Sequence, residues 1–320
     1  LKWASVPYQK AMAAAKYWVF NYRVSDHIWP KEDQVYLECW HGTPLKRLGY
    51  DLQNEGGNVM NSLKEVREKY DLDAAKFRYI LSPSEFTTEK FTSAWNLKQA
   101  GKENAILQEG YPRNDYLLNH TPEDVEQVKR ALHITPEDIG GRKIVLYAPT
   151  WRDNQHDSAD GYSYQLGVDF ARLRQALGEE CIILFRAHYL VANQFDFAAY
   201  EGFVWDVSQY PDINELYVVS DLLITDYSSV FFDYANLKRP ILFYMYDLAA
   251  YRDDIRGFYL DLSELPGPIV ETEEALIQAI PQALEGDAYD EKYQRFHARF
   301  NALDDGHASE RVVKRLLETK

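Results

Sequence analysis

Two adjacent serines stand where an apolar run ends, in Leu222-Leu223-Ile224-Thr225-Asp226-Tyr227-Ser228-Ser229-Val230-Phe231-Phe232. A strand that runs straight into a helix leaves the first helical N–H groups and the positive end of the helix dipole at the turn. Two hydroxyls added there make a cradle for a phosphate without a glycine-rich loop. Asp226 sits in the same turn and would repel a phosphate, so it reads as an N-cap or as a strut for a neighbouring loop. The competing reading is a capped helix after a buried strand, which any α/β protein contains.

Three other apolar runs end on groups suited to anion or acid/base chemistry. Residues 35–39 lead into Trp40-His41-Gly42-Thr43-Pro44-Leu45-Lys46-Arg47, and 143–147 lead into Ala148-Pro149-Thr150-Trp151-Arg152-Asp153. Residues 181–185 lead into Arg186-Ala187-His188-Tyr189. A histidine after a strand is more often a hydrogen-bonded structural residue than a catalyst. His41 stands out because Gly42 permits close approach while Lys46 and Arg47 bring positive charge, and His188 has Arg186 two residues before it. The remaining six histidines lack such a context and read as surface or packing residues. Arg152 is a candidate phosphate ligand, and Lys46, Arg113, Arg186, Lys238 and Arg239 are weaker ones. Each could equally be a solvated surface cation, the commoner fate of Lys and Arg. No His, Cys or carboxylate spacing suggests a metal site, and none of the glycine-rich nucleotide signatures or serine-hydrolase elbows occurs.

These groups need elements to hold them. Strands are expected at 35–39, 79–81, 105–107, 143–147, 181–185, 203–205, 222–225 and 241–244. Helices are expected at 7–20, 84–95, 123–132, 170–177, 213–219, 229–237 and 273–284. That alternation predicts parallel sheets with helices on both faces, where ligands bind beyond the carboxyl ends of the strands. The polar stretch 119–142, with Thr121-Pro122, Thr135-Pro136 and Gly140-Gly141, predicts a boundary between a unit at 1–120 and a second at 121–320.

A chain of 320 residues suffices for two such units, and 46% hydrophobic with 27% charged residues is ordinary for a globular protein. The net charge of −15 argues against general attraction to nucleic acid or to an anionic membrane, although converging cations could still hold a polyanion. The 24 tyrosines and 7 tryptophans would suit glycan or interface contacts and equally an ordinary core. No apolar run approaches a bilayer's width and no signal peptide is visible. The chain opens on Leu1 rather than methionine, which carries the expectation that an upstream segment has been removed. Cys39 and Cys181 lie in apolar runs and read as buried free thiols.

Three motifs in order resemble those of the CDP-glycerol glycerophosphotransferases, the bacterial teichoic acid primases and polymerases with related capsule polymerases. They are Trp40-His41-Gly42-Thr43-Pro44-Leu45-Lys46, Tyr147-Ala148-Pro149-Thr150-Trp151-Arg152 and Ile224-Thr225-Asp226-Tyr227-Ser228-Ser229. Further similar segments are Lys16-Tyr17-Trp18, Glu109-Gly110-Tyr111-Pro112-Arg113-Asn114-Asp115, Lys238-Arg239-Pro240-Ile241 and Arg256-Gly257-Phe258-Tyr259. The resemblance implies a GT-B-like fold, two Rossmann-like domains whose parallel sheets face a central cleft. It implies transfer of polyol phosphate from a CDP-polyol, above all CDP-glycerol, to a hydroxyl of a lipid-linked polyol-phosphate or glycan acceptor, with release of CMP. No metal or other cofactor is implied.

The same resemblance makes His41 the base for the acceptor hydroxyl and gives His188 the donor phosphate or the departing CMP. Ser228 and Ser229, with Arg152 and Thr150, would hold the donor phosphates. Gly42, Thr43, Lys46, Arg113 and Asp226 would support the site or face the acceptor. The enzyme would work on the cytoplasmic face of the bacterial membrane, with peripheral contact at most, since no strongly basic amphipathic anchor is visible. Two features depart from the family: little chain precedes His41, implying a first unit trimmed or smaller than usual, and residues 192–219 hold no Lys or Arg, implying altered donor affinity or polyol choice. A CDP-ribitol transferase, a nucleotide-sugar glycosyltransferase of the same fold and a non-catalytic polymer-binding module are the alternatives.

Overall fold

The computed structural model describes residues 2, 4–53, 62–150, 156–157, 161–162, 167–187, 196–249 and 257–319. The chain divides into two compact units, one of Leu1–Asp115, Arg256–Tyr259 and Arg299–Lys320, the other of Tyr116–Ile255 and Leu260–Ala298. The expected assignment of everything after residue 120 to one unit is therefore corrected. The last helix, Ala308–Glu318, carries an apolar stripe that closes the core of the first unit, so the chain must return there.

The first unit is a four-stranded parallel sheet in the order β1 (Tyr17–Phe20), β2 (Val35–Glu38), β3 (Tyr79–Ser82) and β4 (Ile106–Gln108). Alternation along the strands sends Trp18, Tyr36 and Ile80 to one face, against Phe91, Ala94 and Trp95 of and just after the helix Glu85–Ala94. Val35, Leu37, Leu81 and Leu107 go to the other face, where Val312 and Leu316 of the last helix meet them. The helix expected over 7–20 stops early. It spans Val6–Ala14, capped by Ser5, and Ala15 turns the chain so that Tyr-Trp-Val-Phe, four strand-formers, becomes the sheet edge.

The second unit holds six parallel strands: β5 (Lys143–Tyr147), β8 (Cys181–Phe185), β9 (Val204–Asp206), β10 (Leu222–Thr225), β11 (Ile241–Tyr244) and β12 (Ile269–Val270). A short antiparallel pair, β6 (His156–Asp157) and β7 (Gly161–Tyr162), lies between β5 and β8 in sequence. Across the large sheet the order is β12-β11-β10-β5-β8-β9. Growth runs from β5 outward through β8 and β9, then crosses back to β10 and outward again. The reversal leaves a switch point between β5 and β10, the place where open parallel sheets bind ligands.

Candidate functional site

In the first unit His41 lies in the turn beyond β2, and its ring is fixed from two sides. Trp40, immediately before it, has φ +52°, a left-handed backbone that costs a bulky residue about 1–2 kcal/mol. Glu38, the last residue of β2, offsets that strain by accepting the Trp40 N–H at 2.8 Å. Its other oxygen accepts the Tyr36 hydroxyl at 2.7 Å. Trp40 wedges edge-on against Trp95, ring centres 4.8 Å apart, and stacks on the His41 imidazole at 4.1 Å. The carbonyl of Asn21, just past β1, lies 3.2 Å from His41 Nδ1. A carbonyl can only accept, so Nδ1 carries the proton and Nε2 keeps its lone pair.

Solvent reaches the His41 ring, yet protein crowds the volume around it. The resulting loss of hydration lowers its pKa below the ordinary 6.5; the Asn21 carbonyl opposes this and the Arg113 charge adds to it. His41 is thus held as a neutral imidazole at neutral pH. Glu38, 3% exposed, moves the other way: burial pushes its pKa up to about 7 despite the bonds from Tyr36 and Trp40.

The rest of the turn is clamped to one distant segment, residues 257–259. Leu45 accepts the Tyr259 N–H at 2.8 Å, Arg47 donates its N–H to Gly257 at 3.1 Å, and Lys46 bridges to Phe258. Gly42 and Thr43 are buried beneath the turn. Arg113 lies 3.8 Å over the Tyr111 ring, in a turn tied down by Asp304, which accepts from Tyr111 N–H at 2.9 Å and from Asn114 Nδ2 at 2.6 Å. Gly110 has φ +85°, and a Cβ there would stand 2.6 Å from the Leu303 carbonyl, so glycine is required.

In the second unit the switch point is closed by Asp226. This carboxylate, 1% exposed, accepts the Thr150 N–H at 2.8 Å, the Thr150 hydroxyl, and the Tyr227 N–H at 2.6 Å. The loops beyond β5 and β10 are thereby clasped, and Thr225 Oγ1 donates to Ala148 O at 2.8 Å beside the clasp. Asp226 is a strut and not an N-cap. Thr150, expected as a phosphate ligand, has only one hydroxyl proton and gives it to Asp226, so it cannot donate to an anion.

Ser228 and Ser229 follow, both half-buried, with Ser228 Oγ 3.4 Å from the Val230 N–H. The helix behind them is Val230–Tyr234, tightening into a 3-10 turn at Ala235–Leu237, so its dipole is weaker than the expected longer helix would supply.

Two of the weaker cationic candidates are structural. Arg186 donates to the carbonyls of Val207 and Tyr210, and Arg239 to those of Tyr217, Val218 and Ser220 at the end of the helix Ile213–Val219. Lys238 lies over the Tyr289 ring at 5.1 Å. His188 and Arg152 lie outside the described residues. Sequence reasoning overlooked Glu38, Asn21 and Asp304. A lone carboxylate inside an apolar strand was the available signal for Glu38; Asn21 acts through its backbone and gives none. Cys181 is buried, as expected, whereas Cys39 is half-buried. Among the described residues no cluster of metal-ligating side chains occurs, and no helix is long and apolar enough to cross a membrane.

Comparison with known proteins places this arrangement. Teichoic acid poly(glycerol phosphate) polymerase of Bacillus subtilis is 44% identical over 313 residues, which are 97% of this chain and 41% of that protein. Teichoic acid glycerol-phosphate transferase of Staphylococcus aureus is 41% identical over 316 residues, 96% of this chain and 77% of that protein. The chain therefore spans less than half of the first relative and about three quarters of the second. A solved structure of the wall teichoic acid polymerase TagF, a histidine-to-asparagine variant soaked with CDPG, superposes with a TM-score of 0.88 at 36% identity. It covers 99% of this chain and 76% of its own. The sequence model of one family matches residues 1–318, and the chain belongs to that family, the CDP-glycerol:poly(glycerophosphate) glycerophosphotransferases.

Proposed function

We propose that this chain transfers glycerol phosphate from CDP-glycerol to a hydroxyl of a polyol-phosphate acceptor in teichoic acid synthesis, releasing CMP. The observation that carries the reading is the His41 imidazole, neutral, tautomerically fixed and open at Nε2. Nε2 takes the proton of the acceptor hydroxyl while its oxygen attacks the phosphorus next to glycerol. The bond from that phosphorus to the bridging oxygen breaks, and the oxygen leaves on CMP. A polyol hydroxyl is a poor nucleophile at neutral pH, so a positioned base contributes about 10²–10⁴-fold.

The donor phosphates lie at the switch point of the second unit, received by Ser228 and Ser229, with Arg152 adding charge and Asp226 holding the loops together through Thr150. His188 receives the phosphate of the departing CMP. Phosphoryl transfer depends mostly on positioning and electrostatics, so fixed hydroxyls, amides and imidazoles suffice for these roles. The reading includes a GT-B-like fold built of two Rossmann-like units. It also includes a lipid-linked acceptor reached by peripheral contact at the cytoplasmic face of the membrane. The glycerol-phosphate names of the two relatives favour glycerol over ribitol as the polyol.

The test is product analysis with CDP-glycerol and a short synthetic glycerol phosphate oligomer. One CMP per added glycerol phosphate supports the reading. Release of CDP would mean that the bond to the polyol breaks instead, which would replace phosphotransfer with a glycosyltransferase-like reaction.

A further inference from the structure

The segment after the His41 turn lines a cavity of about 590 Å³ in the first unit, which the reaction above does not use. Among the described residues three cations line it, Arg47, Arg67 and Lys90, against two acids, Asp51 and Glu89, leaving one net positive charge (three minus two). Both acids are engaged. Glu89 pairs with Lys90 at 2.6 Å, and Asp51 accepts the hydroxyls of Ser93 and Tyr259.

The two guanidinium groups are left over. The Nε of Arg47 and the Nε of Arg67 are each buried without a hydrogen-bond partner. Those two covered atoms fix the guanidinium planes, and both side chains line the cavity, where an anionic oxygen would meet their positive charge. Both side chains are held in place without such an anion. Arg67 packs on the Tyr50 ring at 5.5 Å, and Arg47 runs past Gly257, where a Cβ would stand 3.1 Å from its Nε.

We infer that this cavity binds a phosphodiester of the acceptor polymer, one or more units back from the reacting hydroxyl; the inference rests on the phosphotransferase reading. The charge decides the class. One net positive charge suits a singly charged diester better than a doubly charged terminal phosphate, which Asp51 and Glu89 would also repel. Planar guanidinium groups match phosphate oxygens, and Asp51 can accept a polyol hydroxyl beside them. Arg47 lies six residues past His41 on the same turn, so occupancy here would feed the growing chain end toward the base.

The experiment is calorimetric titration of the full chain with a synthetic oligo(glycerol phosphate), without CDP-glycerol. Wild type binds, Arg67→Gln and Arg47→Gln each weaken binding about tenfold, the loss of one charge-assisted contact, and Arg67→Lys retains part of it. Lys64→Gln, an exposed position on the Arg67 helix outside the cavity, binds as wild type. Circular dichroism shows that each variant is folded. No binding by wild type, or equal binding by wild type and both Gln variants, overturns the inference. If Arg67→Gln loses only phosphatidylglycerol vesicles and not the oligomer, the ligand is a lipid headgroup and the polymer assignment falls. Arg67-dependent oligomer binding without any CMP release would overturn the phosphotransferase reading and leave the subsite standing. CMP release with the acceptor KM unmoved in Arg67→Gln would overturn the subsite alone.

Discussion

Glu38→Gln should change how the protein's stability depends on pH while leaving the His41 turn in place. The carboxyl is 3% exposed, and burial lifts its pKa from the ordinary 4.5 to about 7. A raised carboxyl pKa means that the folded state holds a proton that the unfolded chain has released. The contribution of Glu38 to stability is then greatest below pH 4.5 and falls as pH rises through about 7. At ~1.4 kcal/mol per pH unit, the gap between 4.5 and about 7 amounts to roughly 3 kcal/mol. Glutamine keeps an oxygen for the Trp40 N–H and an NH₂ that can donate to the Tyr36 hydroxyl oxygen, and it does not ionise. Urea unfolding at about pH 5 and 8, followed by the near-ultraviolet circular dichroism of the Trp18, Trp40 and Trp95 cluster, measures the effect. Wild type should lose about 2.5 kcal/mol more than Glu38→Gln between those pH values, since part of the full gap is already lost at pH 5. Asp73, also buried with a raised pKa, contributes to both proteins and largely cancels in the difference. Equal pH dependence in the two proteins would refute the assignment of a buried, ionising carboxyl beneath the turn.

Asp226→Ala should destabilise the second unit by about 3 kcal/mol and weaken CDP-glycerol binding, because the Thr150 and Tyr227 N–H groups lose a buried acceptor. Asp226→Asn, which keeps one acceptor oxygen, should lose less; chemical denaturation and donor titration read both. Gly110→Ala should cost about 2–4 kcal/mol, seen as a lowered Tm, since it combines φ +85° with a Cβ 2.6 Å from a carbonyl oxygen. The kcat/KM for CMP release should fall on the acid side, where His41 takes up a proton. Desolvation puts the midpoint of that limb below the ordinary 6.5, and a midpoint above 6.5 would contradict it.

The apolar runs that became central strands were legible to the residue. Residues 143–147, 181–185, 222–225 and 241–244 are apolar but for Lys143 and Thr225 at strand ends, because a parallel sheet covered on both faces leaves no polar alternation. The edge strand Tyr17–Phe20 was absorbed into the preceding alanine-rich helix, since a short strand gives no periodicity of its own. The helix Leu63–Lys76 went unread because its sequence is dominated by charged residues and only Asp73, Ala74 and Lys76 are buried. Within each sheet the strand ends located the residues beyond them, His41 after β2 in the first unit and Thr150 and Asp226 after β5 and β10 in the second, because loops after parallel strands lie at one edge of their sheet whatever their sequence. The clasp between Thr150 and Asp226, 76 residues apart, and the Asn21 carbonyl under His41 depend on register and backbone, which side-chain types do not encode.

The most direct test of the account is the single-turnover rate of CMP release from CDP-glycerol in the presence of acceptor, for wild type and His41→Ala, alongside CDP-glycerol binding. The account predicts that His41→Ala binds the donor as wild type does and releases CMP about 10²–10⁴-fold more slowly. Release at the wild-type rate by a folded His41→Ala protein would contradict it, and the base would have to be sought elsewhere.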